Sequence, residues 1–129
     1  IIGGDGLDSE EFVKIGKEAV NNTYYVSHFA KDDPNTKIQA FIKNYKDRFG
    51  KEPNVESVLC YDSLMMLAKA IEKAGSVEPN VIRDALSTLE FNGVTGIIKF
   101  ENGGDPVKPA TIVKVTKGVQ TFETRIYPP

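Results

Sequence analysis

Ile1-Ile2-Gly3-Gly4-Asp5-Gly6-Leu7, the stretch that opens the chain, decides the fold class. Two β-branched residues give way to glycines set around one aspartate, which reads as a strand running out into a tight loop. A helix follows at once. Asp8 or Ser9 can cap it, Glu10 and Glu11 suit the positive end of its dipole, and Phe12, Ile15, Ala19 and Val20 share a face. Thr23 to Phe29 (TYYVSHF) is β-branched and aromatic, hence a second strand. Strand, glycine loop, helix and strand together open an α/β fold, in which ligands gather at the carboxyl ends of strands. Asp5 stands at such an end, where its carboxylate could pair with an ammonium group or simply shape the turn.

Further along, the chain is helical. Ile38, Phe41, Ile42, Tyr45 and Phe49 recur at helical spacing, and Gly50 follows as a stop. Val55 to Ala74 is apolar on most sides, including Val58, Leu59, Leu64, Met65, Leu67 and Ile71, so it is expected to be largely buried. Cys60 would then sit inside it as a small hydrophobe. Ser76 to Leu89 reads as a shorter helix with Pro79 in its first turn. The pattern then changes period. Val94–Phe100, Thr111–Val115 and Val119–Ile126 read as strands, with turns at Asn102–Pro106 and Lys117-Gly118, and the tail is expected to be a meander or pair of hairpins. The order is β-α-β-α-α-α-β-β-β, a mixed α/β fold with a β-rich tail.

Composition narrows the function. The 129 residues, 40% of them hydrophobic, suffice for the core of one domain. Sixteen basic against eighteen acidic residues give a net charge of −2, which offers nucleic acid or an anionic surface no basic patch. No apolar run approaches the ~20 residues of a membrane-spanning helix. One cysteine, Cys60, and one histidine, His28, cannot build a zinc or thiolate centre, and the acidic loops at Asp32-Asp33 and Asn102–Asp105 lack calcium-loop spacing. No cofactor or metal is expected. An enzyme would need a catalytic pair, for which the sequence offers only Asp5 with His28, unlinked by any motif. No catalytic residue is assigned.

Several blocks carry a resemblance when read in order. They are Gly3-Gly4-Asp5-Gly6-Leu7, Tyr24-Tyr25-Val26, Phe41–Tyr45 with Phe49–Pro53, and Tyr61–Leu64 with Ala68–Gly75. Ile82–Leu86, Phe91–Gly96, Phe100 and Gly104-Asp105-Pro106 complete the set. The chain resembles the C-terminal part of the substrate-binding protein of a branched-chain amino-acid ABC transporter, of the leucine/isoleucine/valine-binding type, with a periplasmic binding protein type I fold. That resemblance implies two lobes joined by three crossing segments and closing on a ligand between them. It assigns residues 1–28 and 93–129 to the C-terminal lobe and 29–92 to the N-terminal lobe, so the chain would be a fragment of a longer protein, without the N-terminal portion that holds the ligand's carboxylate. The implied partners are a small amino acid, the membrane permease, that N-terminal portion, and a second copy of the fragment where it stands alone.

The resemblance also supplies a site. An acidic residue in the loop matching Gly3–Gly6 takes the ligand's α-ammonium, which carries over to Asp5, one methylene shorter than the Glu of the best-known members. Val55–Val58 matches a stretch that often supplies an apolar contact to the ligand side chain. Location outside the cytoplasmic membrane, periplasmic or extracellular and with a lipid anchor as an option for the full-length protein, is likewise implied. A ligand-sensing domain of the same fold on a receptor or regulator is the alternative, and a small α/β enzyme a more distant one. Saturable binding without turnover separates the binding module from the enzyme.

Overall fold

Two stretches of extended chain, Ile2–Gly3 (β1) and Tyr24–Ser27 (β2), lie parallel, with Ile2 opposite Tyr24 and Gly3 opposite Tyr25. The computed structural model describes residues 1–101 and 103–129. Between β1 and β2 the chain makes a 3₁₀ turn at Asp5–Leu7, helix α1 over Glu10–Gly16, and a second 3₁₀ turn over Lys17–Val20. Ser9, of the two caps the sequence offered, does the capping: its hydroxyl oxygen accepts the Phe12 N–H at 3.1 Å. The expected long amphipathic helix is cut short after Gly16. Ile15 and Ala19 face solvent, while Phe12, Val13 and Val20 pack inward.

Strand β2 does not continue into parallel pairing. Its other edge takes Ala110–Thr116 (β6) antiparallel, and β6 takes Val119–Ile126 (β7) through the two-residue Lys117-Gly118 turn. Both turn residues have positive φ, 51° and 75°, as a twist-matched hairpin turn requires. The resulting order is β1-β2-β6-β7. Tyr25, Ala30, Val113 and Val115 are the buried centre of this sheet, closed by Leu7, Phe12, Val13, Val20 and Phe122.

A second body lies between β2 and β6 in sequence. Helices α2 (Thr36–Phe49), α3 (Val55–Ala74) and α4 (Pro79–Ser87) end or begin where the sequence indicates, with Gly50 and Gly75 in the left-handed conformation after α2 and α3 and Pro79 at the first position of α4. Phe29, Ile38, Ile42, Val58 and Val94 form its core. Phe91–Gly93 (β3), Gly96–Glu101 (β4) and Asp105–Val107 (β5) make a separate antiparallel sheet against α3 and α4. The tail is therefore not one meander. Three strands stay with the helices, two join β2, and Pro106 is accommodated because β5 is an edge strand. Of the Asn102–Pro106 turn cluster, Asn102 lies outside the described residues.

Helix α3 departs most from expectation. Only Val58, Asp62 and Ala70 are buried, while Leu64 is 68% exposed and Tyr61, Met65 and Leu67 face solvent with Cys60. The physical reason is geometric: one face of α3 has a partner in α2, α4 and β3, and the described residues supply nothing for the rest. Cys60 is accordingly a surface thiol.

Asp62 is the polar exception inside this body. Its carboxylate accepts the Val94 N–H at 2.7 Å, the Thr95 N–H at 2.8 Å and the Thr95 hydroxyl at 2.8 Å, all in the buried segment between β3 and β4. Gly93 makes room for it, since a Cβ there would stand 2.6 Å from an Asp62 oxygen. Replacing Asp62 by alanine strands two N–H groups and a hydroxyl away from water, so Asp62→Ala should destabilise the chain by ~3 kcal/mol or more. Leu64→Ala, on the exposed face, should change it by less than ~0.5 kcal/mol. Urea unfolding of the two variants checks both values.

Candidate functional site

The chain passes between its two bodies twice, at Ser27–Ala30 and at Val107–Pro109, and these passages meet the loop after β1. Because β1 and β2 are parallel, Asp5 and His28 emerge side by side at their carboxyl ends. Asp5 Oδ2 lies 3.9 Å from His28 Nε2, with the Asp5 side chain 73% exposed and that of His28 33% exposed. The two residues that the sequence left unlinked are neighbours.

The ring is held in a polar corner. Burial, then the nearby Lys108 ammonium, lower the His28 pKa, against the opposing pull of Asp5 and Asp8. His28 Nδ1 is buried and has no hydrogen-bond partner among the described residues. Lys108 donates to the Thr95 hydroxyl at 2.7 Å, and burial lowers its own pKa to about 8 despite the attraction of Asp62. A chain of polar contacts thus runs from Asp62 on α3 through Thr95 to Lys108 and on to the charge around His28.

Asp8 does not cap α1; its carboxylate turns to Ser27 instead. It accepts a short hydrogen bond from the Ser27 hydroxyl, and Ser27 is buried at the end of β2. Desolvation raises the Asp8 pKa, with Glu56 adding to the rise and Ser27 opposing it. Burial, with the same carboxylate adding to it, raises the Tyr25 hydroxyl pKa. Asp8, Tyr25 and Phe29 line a cleft of about 630 Å³ that is faced across by Val55 and Glu56 at the start of α3. Of the Val55–Val58 stretch, then, Val55 and Glu56 border the cleft, while Val58 is core. Asp5 does not line this cleft; it stands at the strand ends beside His28.

One buried ion pair and one exposed hydrogen bond link the two bodies to each other. Arg125 on β7 donates to Asp33, just before α2, at 2.7 Å, with the side chains 8% and 4% exposed. Asp32 accepts the Phe122 N–H at 2.8 Å. Sequence reasoning missed Asp62, Lys108 and the Arg125–Asp33 pair. A charged residue inside an apolar helical run was the available signal for Asp62, whereas the ion pair spans 92 residues and has no local signature. Among the described residues no group of three His, Cys, Asp or Glu could hold a metal ion, and no helix is long and apolar enough to cross a membrane.

The charges around His28 give a direct check. Lys108→Met should move the titration midpoint of His28 upward, and Asp5→Asn should move it downward. Proton NMR of the imidazole, the chain's single histidine, reads both shifts.

Comparison with known proteins gives the family. A Leu/Ile/Val-binding protein homologue of Brucella abortus is 31% identical over 114 residues, covering 87% of this chain and 30% of that protein. A crystal structure of a leucine-binding protein from Thermotoga maritima superposes with a TM-score of 0.82 at 37% identity, covering 99% of this chain and 37% of that one. The branched-chain amino acid transporter substrate-binding protein of Streptococcus pneumoniae, solved in complex with isoleucine, gives 0.77 at 32% identity over 97% of this chain and 36% of that one. The chain therefore spans about a third of the length of the relatives it matches. The family model described as periplasmic binding protein matches residues 1–120, and the chain belongs to that family.

Proposed function

We propose that this chain is the C-terminal part of the solute-binding protein of an ABC importer, which holds a branched-chain or related amino acid between two lobes and delivers it, without catalysis, to a membrane permease. The observation that carries the reading is the position of Asp5. It is an exposed carboxylate at the carboxyl end of the first of two parallel strands, beside the passages between the two bodies. A carboxylate there suits a ligand ammonium. The protein would work outside the cytoplasmic membrane, in the periplasm or at the cell exterior, with a lipid anchor as one way of holding the full-length protein at the membrane.

The sheet pairing supports a lobe division close to the one the resemblance implies. Residues 1–28 with β6 and β7 form one unit, and 29–92 the other. Residues 93–107 go with the second unit rather than with the rest of 93–129, because β4 and β5 pair with β3. Crossings then fall near Ser27–Ala30 and Val107–Pro109.

An enzyme gains nothing from the proximity of Asp5 and His28. Ser27, the nearest hydroxyl in sequence, is buried and engaged with Asp8 and with the Phe29 carbonyl, so it is no nucleophile for that pair.

A charged hydrogen bond donated by the ligand ammonium to Asp5 contributes ~1.5–3 kcal/mol, far below the ~8 kcal/mol of micromolar binding, so the remaining affinity must come from the N-terminal portion. Asp5→Ala in the full-length protein should therefore weaken L-leucine binding about tenfold or more by isothermal titration calorimetry, and unchanged affinity would return Asp5 to a turn role. The 129-residue chain alone should bind free amino acids weakly and pair with a second copy. Its exposed Leu64, Met65 and Leu67 on α3, with Val119 and Ile126 on β7, are apolar surface and open strand edge without cover. Light scattering behind size exclusion should report a dimer, and a monomer at high concentration would contradict this.

A further inference from the structure

We propose that His28 makes ligand binding at the Asp5 site pH-dependent: as imidazolium it competes with a ligand ammonium for the Asp5 carboxylate, and as neutral imidazole it leaves that carboxylate open. The inference rests on the ammonium-binding reading of Asp5 and adds a second side chain to it. The geometry carries it. Nε2 and Oδ2 are 3.9 Å apart on the ends of adjacent parallel strands, so a small rotation of either side chain closes a hydrogen bond. The other ring nitrogen, Nδ1, is buried without a hydrogen-bond partner among the described residues, so no hydrogen bond there opposes that rotation.

Three charged groups face the ring. Asp5 comes from the 3₁₀ turn after β1, Asp8 from the loop behind it, and Lys108 from the passage between β5 and β6. The two carboxylates favour the imidazolium, whereas burial and Lys108 oppose it and prevail, which keeps the ring neutral at pH 7 and Asp5 unoccupied. A bound ammonium at Asp5 would place a further positive charge beside the ring and lower its pKa again. The sign follows from linkage. The ligand-free state binds the extra proton, so affinity is at its full value above the free-state pKa of His28. It falls on acidification through that value, by at most tenfold per pH unit, until the bound-state pKa is reached.

The test uses the full-length protein that contains this chain, titrated with L-leucine between pH 7 and pH 5 as wild type, His28→Gln and Asp5→Asn. Wild type should lose affinity toward pH 5, with the loss setting in at the His28 midpoint and reaching at most tenfold per pH unit below it, whereas His28→Gln should hold a nearly constant affinity and Asp5→Asn should bind weakly throughout. NMR titration of His28 in the wild-type protein, which needs no folded variant, should show its midpoint falling on addition of L-leucine. A His28→Gln protein that keeps the wild-type pH slope, or a His28 midpoint that L-leucine does not move, overturns the competition while leaving the Asp5 reading intact. Undiminished binding by Asp5→Asn, or no binding of L-leucine by wild type, overturns the Asp5 reading and the role of His28 with it.

Discussion

A single carboxylate inside the helical body sets the geometry on which the strand ends depend. Asp62 closes three hydrogen bonds onto Val94 and Thr95, so the segment leaving β3 is fixed to α3 by groups that have no water to fall back on. Thr95 then receives Lys108, which belongs to the passage back toward β6. The route of the chain into the second body, and its route out again, are therefore held at one buried polar junction. Gly93 is part of the same constraint, because any side chain there would displace the Asp62 oxygens.

From that junction the charge pattern at the strand ends follows. Lys108 is half buried and bonded to Thr95, so its ammonium stays near His28 instead of swinging into solvent. His28 in turn sits beside Asp5, the most exposed charged group of the corner. The result is a carboxylate that is free to receive a cation and a histidine biased toward its neutral form. Asp8, by contrast, is turned inward to Ser27 and is partly buried with Tyr25. Two aspartates three residues apart thus have different surroundings: Asp5 is open to solvent, and Asp8 is held by Ser27 at the wall of the 630 Å³ cleft.

The sequence made the local elements legible. Helix α2 announces itself through Ile38, Phe41, Ile42 and Tyr45 and stops at Gly50, and the Lys117-Gly118 turn sets the β6–β7 hairpin. The opening strand–loop–helix–strand pointed to Asp5 because its side chain follows a strand and precedes a helix. What hydrophobic pattern could not reveal was which apolar faces find partners. Leu64 and Ile71 look equally internal on α3, yet Leu64 is open to solvent and Ile71 is half buried, because only one side of the helix meets α4 and β3. The split of the tail into two sheets was equally hidden: β4 and β6 read alike as strands, and only long-range pairing with β3 and β2 separates them. The neighbourhood of Asp5 and His28 is a product of parallel pairing across a 3₁₀ turn and helix, not of any motif.

The proposed role of Asp5, at the carboxyl end of β1, is to receive a ligand ammonium. A crystal structure of the full-length protein grown with L-leucine tests it most directly. The leucine ammonium should lie within ~3 Å of an Asp5 carboxylate oxygen, between the two bodies and beside His28. Leucine seated elsewhere, with the Asp5 side chain turned to solvent, would contradict it.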